Sequence, residues 1–284
     1  MNRKYSLIIF VVALALVLTL GASVLAAPPH APAATYTWNG GAGAWGIATN
    51  WTPNGVPGSG DTATINVGTV NITASVTVQT LILNGGMLQG SDSITVTNVM
   101  TWTDGTQSGS GSGATTIANG AVLNVSATGS CAGTGARLTG RTLNVAGAAT
   151  LTGTTTLCVD NGAIINNSGL FDVVSNVNVD IWAGATRSAV LSNTGTLRKS
   201  GGAGASTWTS VAVNNAGTVQ AQSGTLRLAN GGTSNGSYTA APGATLDLGG
   251  GTHAISLTAA SSIGGGGTVR VSGGTTTVGG SGSY

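Results

Sequence analysis

The chain has 284 residues, 48 of them Gly, and only 6% are charged, against about a quarter in an ordinary soluble domain. Two of its nine basic residues, Arg3 and Lys4, fall in the first four positions, and the remaining seven match seven acidic residues, all Asp. That neutrality excludes a basic stripe for nucleic acid or an acidic face, while 41% hydrophobic content excludes a chain too polar to fold.

Residues 1–27 have the three parts of a secretory signal peptide. Asn2-Arg3-Lys4 is a short positive region, and the run from Leu7 to Leu20 is apolar except at Thr19. Val24-Leu25-Ala26 or Leu25-Ala26-Ala27 then offers a cleavage site. An uncleaved anchor is the alternative, because the apolar stretch is just long enough to span a bilayer. Either way the expected location is secreted or cell-surface. Residues 28–35 are rich in Pro and Ala and include His30. They form an extended linker, since proline blocks a helix.

Residues 36–66 hold half of the six tryptophans: Trp38, Trp45 and Trp51. Two readings compete. Large rings can cover the open end of a stack of coils, as a terminal repeat must. Exposed rings can instead stack on sugars, which would make this cluster a carbohydrate-binding site.

Residues 67–284 are repetitive. An apolar-x-Asn-small-Gly motif occurs as Ile165-Asn166-Asn167-Ser168-Gly169, Leu191-Ser192-Asn193-Thr194-Gly195 and Val213-Asn214-Asn215-Ala216-Gly217, with the second Asn 26 and then 22 positions apart. A second motif places Leu226, Leu246 and Val269 at spacings of 20 and 23. Within each repeat, apolar residues alternate over two to five positions between Gly, Asn and Ser, the pattern of short strands and turns. Such a repeat cannot bury its apolar face alone and must stack on its neighbours. The expected fold is all-β: a right-handed parallel β-helix (β-solenoid) of roughly ten coils, each of about 20–26 residues, rising about 4.8 Å per coil. Glycine is expected to take positive φ at coil corners. Asn167, Asn193 and Asn215 would stack at one corner as a hydrogen-bonded ladder.

The two cysteines, Cys131 and Cys158, are 27 positions apart, close to one coil. In an exported chain they can bond if their side chains face each other; two buried free thiols are the alternative. Two cysteines and two distant histidines do not make a zinc site.

Many β-helices act on polysaccharides, and glycoside hydrolysis needs two carboxylates at a set separation. Asp160, Asp172 and Asp180 are the closest acidic group. Asp160-Asn161-Gly162 is also a turn signal, and Asp172 lies in an alternating strand. Arg198-Lys199 reads as a solvated corner. His253 lies near a coil corner with no nucleophile motif around it. Gly264–Gly267 lacks the Asp of a calcium nonapeptide and the Lys of a phosphate loop. No metal or other cofactor is expected, and no catalytic residue.

Several segments resemble bacterial surface proteins of the autotransporter and adhesin type. Trp38-Asn39-Gly40-Gly41, Trp45, Asn50-Trp51, Val56-Pro57 and Gly60-Asp61-Thr62-Ala63 look like their opening segment. Thr101-Trp102-Thr103-Asp104-Gly105-Thr106 and Leu197-Arg198-Lys199-Ser200-Gly201-Gly202 look like repeats of their β-helical passenger regions. The resemblance covers most of residues 36–280 and implies surface display, with adhesion or scaffolding as the role. Glycans or other surface proteins would be the partners. The sequence departs from that pattern in lacking a translocator barrel, a sorting signal and a C-terminal cap. The chain stops amid repeat-like sequence at Gly280-Ser281-Gly282-Ser283-Tyr284. Either it is a fragment of a longer protein, the expected case, or a partner caps its end; it is expected to touch a membrane only through its leader or a missing C-terminal anchor.

Overall fold

The structure, a computed structural model, describes residues 33–109, 112–127 and 129–284. The expected leader and most of the linker, His30 included, lie outside the described residues. From Ala33 onward the chain is an all-β parallel β-solenoid of about ten turns. Its helical content among the described residues is one 3-10 turn, Ala48–Asn50, so no described helix is long and apolar enough to cross a membrane.

Each turn contributes to three parallel sheets. Sheet I contains Ile164–Asn167, Ala189–Asn193, Val211–Asn215, Gly232–Ser234 and Thr252–Leu257 in successive turns. Sheet II contains Leu170–Val173, Thr196–Lys199, Thr218–Ala221 and Ser237–Ala240. Sheet III contains Ala205–Trp208, Thr225–Leu228, Thr245–Leu248 and Thr268–Val271. Two turns run almost without corners, as the long strands Val76–Gln89 and Ile94–Ser108, whose mutual register shifts near Val78, Leu83 and Asn84. They are longer than the two-to-five-residue strands expected, because bulges rather than breaks carry them round the bends.

Alternation sorts the residues. On sheet II, Met100, Leu123, Ala149, Phe171, Leu197, Val219 and Tyr238 are register partners in one continuous inward column, and all are buried. Each large apolar member contributes about 1.5–3 kcal/mol by leaving water. A slip of one residue would turn the whole column outward, so the core fixes the register.

The glycines of the Asn motif serve a purpose other than the expected one. A Cβ on Gly195 would lie 2.1 Å from the Gly169 carbonyl oxygen, and one on Gly217 would lie 2.1 Å from that of Gly195. Close stacking of backbone on backbone, not positive φ, demands glycine there. At Gly224 and Gly243, which precede strands of sheet III, φ is +58° and +80°, and there the expected conformational reason holds.

At the first turn, Thr35–Trp38 pairs in parallel with Thr62–Ile65 on one edge. On its other edge Trp51–Thr52 pairs with it antiparallel. That edge would otherwise present unpaired backbone groups.

Candidate functional site

The buried Asn residues form one directed ladder at the corner between sheets I and II. Asn167 Nδ2 donates to Asn193 Oδ1 at 2.7 Å, and Asn193 Nδ2 donates to Asn215 Oδ1 at 2.8 Å. The same amides donate to carbonyls beyond the bend: Asn167 to Thr196 (2.9 Å), Asn193 to Thr218 (3.1 Å) and Asn215 to Ser237 (3.2 Å). Ser234 follows Asn215 in register, and Asn215 Nδ2 reaches its Oγ at 3.4 Å. In the same column Ile117 and Val145 precede Asn167, and Ile255 follows Ser234. The ladder is thus a polar insert in an otherwise apolar column.

Two cations are buried without a carboxylate. Lys199, expected at a solvated corner, points inward between Val173 and Ala221 and is fully buried. Its ammonium donates to Gly201 O, to Gly202 O (2.8 Å), and to Ser175 O and Asn176 Oδ1 (3.3 Å each). The carbonyls of two successive turns replace water there, and burial lowers its pKa. Arg198 is no free solvated charge either, because it pairs with Asp172 at 2.5 Å. Arg141 is equally buried. Its guanidinium donates to Gly90 O, Asp92 O, Ser108 O, Ala114 O and Thr115 Oγ1, tying its own turn to the two before it. Burial pushes its pKa down to about 10. A Cβ on Gly113 would come within 2.8 Å of Nη1, so Gly113 leaves the space the guanidinium fills.

Of the three aspartates, Asp160 and Asp172 are each engaged by an arginine. Asp160 is buried and holds Arg137 through both carboxylate oxygens at 3.0 Å, and it also accepts the Trp182 N–H. Asp180 lies on the same sheet, one turn on, and accepts the N–H of Ile181. Asp172 stands on sheet II and is committed to Arg198. Two of the three carboxylates therefore already have a cation. His253 is buried on sheet I, and burial lowers its pKa against backbone hydrogen bonds at Leu228 and Gly250 that raise it. No group of three or more His, Cys or Asp among the described residues is placed to hold a metal ion.

Cys131 and Cys158 are joined in a disulfide, with Cα atoms 5.7 Å apart. The loop carrying Cys131 is further held by Ala183 N–H donating to Cys131 O and by Gly135 N–H donating to Asp104.

The tryptophans of the first turns are buried. Trp51 packs edge-on against Trp38 at 5.0 Å and against Trp45 at 4.7 Å. Their indole N–H groups donate to the carbonyls of Gly41, Pro57 and Trp45. Of the two readings of Trp38, Trp45 and Trp51, stacking on sugars finds no exposed ring face here, because all three rings are buried. Trp102 and Trp208 are core residues, whereas Trp182 is only half-buried, under the Arg137 guanidinium.

The outer surface of sheet I differs from the others. Thr77, Thr95, Thr116, Asn144, Asn166, Ser192, Asn214 and Thr233 are successive register partners in one outward row. No Asp, Lys or Arg lies in this row. The outward charges of sheets II and III pair across turns instead, Asp172 with Arg198 and Asp247 with Arg270 and Arg227. Toward the later turns the row lines a groove of about 520 Å³. Its lining combines Ser192, Asn214, Thr233 and Ala254 of the row with Thr194, Ala216, Asn235 and Ser256, each two positions further along the chain. The groove was not foreseen, since it exists only once the register lines up residues about twenty positions apart.

Comparison with protein-family models, with curated proteins and with solved structures finds no match to this chain.

Proposed function

We propose that this chain is an exported surface rod with a structural and adhesive role, of the autotransporter and adhesin type that its sequence resembles. The observation that carries this is sheet I, where an uncharged row of Thr, Asn and Ser is repeated turn after turn on a rigid support. A rigid, neutral, hydrogen-bonding face suits contact with a partner at close range and offers little long-range steering. The internal ladder and buried cations support the rod role, because they tie turns together without depending on anything outside. Carbohydrate capture by the Trp cluster loses its support with the burial of those rings, and no observation favours a polysaccharide-active enzyme.

The test is expression with residues 1–35 intact, followed by fractionation, mature N-terminal sequencing and protease shaving of whole cells. The reading expects cleavage after Ala26 or Ala27 and a chain reachable by external protease. A full-length chain confined to the cytoplasm contradicts it.

A further inference from the structure

We infer that the groove on sheet I binds a neutral linear polysaccharide, which deepens the adhesive reading above and rests on it. The groove runs along the stacking axis, so its groups repeat about every 4.8 Å, close to the advance of one sugar in an extended chain. Its hydrogen-bonding groups are pre-set. Asn214 Oδ1 accepts both the Thr233 N–H and the Thr233 Oγ1–H, each at 3.0 Å. That fixes the amide, leaves Asn214 Nδ2 as a donor and leaves the Thr233 hydroxyl as an acceptor. A donor beside an acceptor is what a sugar hydroxyl needs, since it both accepts and donates. Ala254, the next register partner, is exposed and supplies a methyl for the C–H face of the same chain.

The lining carries no charged side chain and no aromatic ring. The lack of charge selects against acidic glycans, which need cations. An extended peptide would dock by adding a strand to an open sheet edge. Here the strands at Ala189–Asn193, Val211–Asn215 and Gly232–Ser234 are paired on both sides, so only side chains are on offer. Without ring stacking each site is weak, and affinity comes from many turns along one polymer.

The test is affinity gel electrophoresis of the intact chain through gels holding hydroxyethylcellulose, xylan, galactomannan or, as an acidic control, alginate. At least one neutral polymer retards the wild type. Asn214→Ala weakens that retardation roughly five-fold, the loss of about one neutral hydrogen bond. Ala254→Arg, at an exposed position away from the core, abolishes it, and Gln220→Ala on sheet II leaves it unchanged. If Asn214→Ala fails to fold, Ala254→Arg alone decides. No retardation by any neutral polymer, retardation by alginate alone, retardation indifferent to Ala254→Arg, or capture of reduced, carboxymethylated α-lactalbumin in its place overturns the inference. None of these results bears on export or surface exposure, which the protease-shaving experiment reads separately.

Discussion

Asn193 uses both ends of its amide at once: Oδ1 accepts from Asn167 at 2.7 Å while Nδ2 donates to Asn215 at 2.8 Å. Every rung therefore orients the next, and a change in the middle strands both neighbours. Asn193→Ala is expected to lose about 2–4 kcal/mol, since it leaves a buried donor and a buried acceptor unpaired and opens a small cavity. Asn166→Ala, one position from the ladder on the outward face, should change stability by less than about 1 kcal/mol. Urea unfolding of the two variants checks the difference. Equal losses would show that the ladder contributes nothing specific.

The ladder has one open end. Asn167 Oδ1 has no partner among the described residues, because the residue in register before it is Val145. Val145→Thr has nearly the same shape and brings a hydroxyl toward that oxygen. It is expected to be neutral or to stabilise by up to about 1 kcal/mol. Val213→Thr places the same hydroxyl in the apolar interior of sheet I, where Leu191 is the register partner, and should cost about 1–3 kcal/mol. Thermal unfolding of the pair, with equal losses as the contrary outcome, decides it.

How much of this was legible in the sequence differs by residue. Asn167, Asn193 and Asn215 could be found because the same motif recurs, and a recurring polar residue at fixed spacing implies stacking. Arg141 and Lys199 could not, because a lone cation in a single repeat reads as exposed. Only the three-dimensional corner, with carbonyls of two or three turns converging, makes burial tolerable for such a charge. The tryptophans were legible as a cluster but not in orientation. Their burial follows from the antiparallel return of Trp51–Thr52 onto Thr35–Trp38, which no local pattern announces.

Reducing the Cys131–Cys158 disulfide should cost about 3–4 kcal/mol, the loop-closure entropy for a separation of 27 residues. The backbone bonds from Ala183 and Gly135 hold the loop without the bond, so the fold is expected to survive reduction. Denaturant unfolding with and without reductant measures the loss, and circular dichroism checks that the strands remain. An unchanged midpoint would contradict the estimate.

His253 gives the molecule a pH dependence of defined sign. Burial holds its folded-state pKa below the ordinary 6.5, so on acidification the unfolded chain takes up a proton first. Stability is then full above about pH 6.5 and falls as the pH drops from there toward the folded-state value. His253→Leu removes this component. Urea midpoints at about pH 7.5 and pH 5 should converge more closely for the variant than for the wild type, and equal pH dependence in both would argue against it.

The uncharged outward row of sheet I is the proposed working face of the rod. Beads coated with the wild type can be compared with beads carrying two triple variants, Asn144→Lys, Asn166→Lys and Asn214→Lys on sheet I, or Thr150→Lys, Gln220→Lys and Thr239→Lys on sheet II. Adhesion to surfaces coated with neutral polysaccharide is the quantity measured. Loss of adhesion with the sheet I variant alone is the predicted result. Equal adhesion by both variants, or equal loss in both, would show that sheet I is not the binding face.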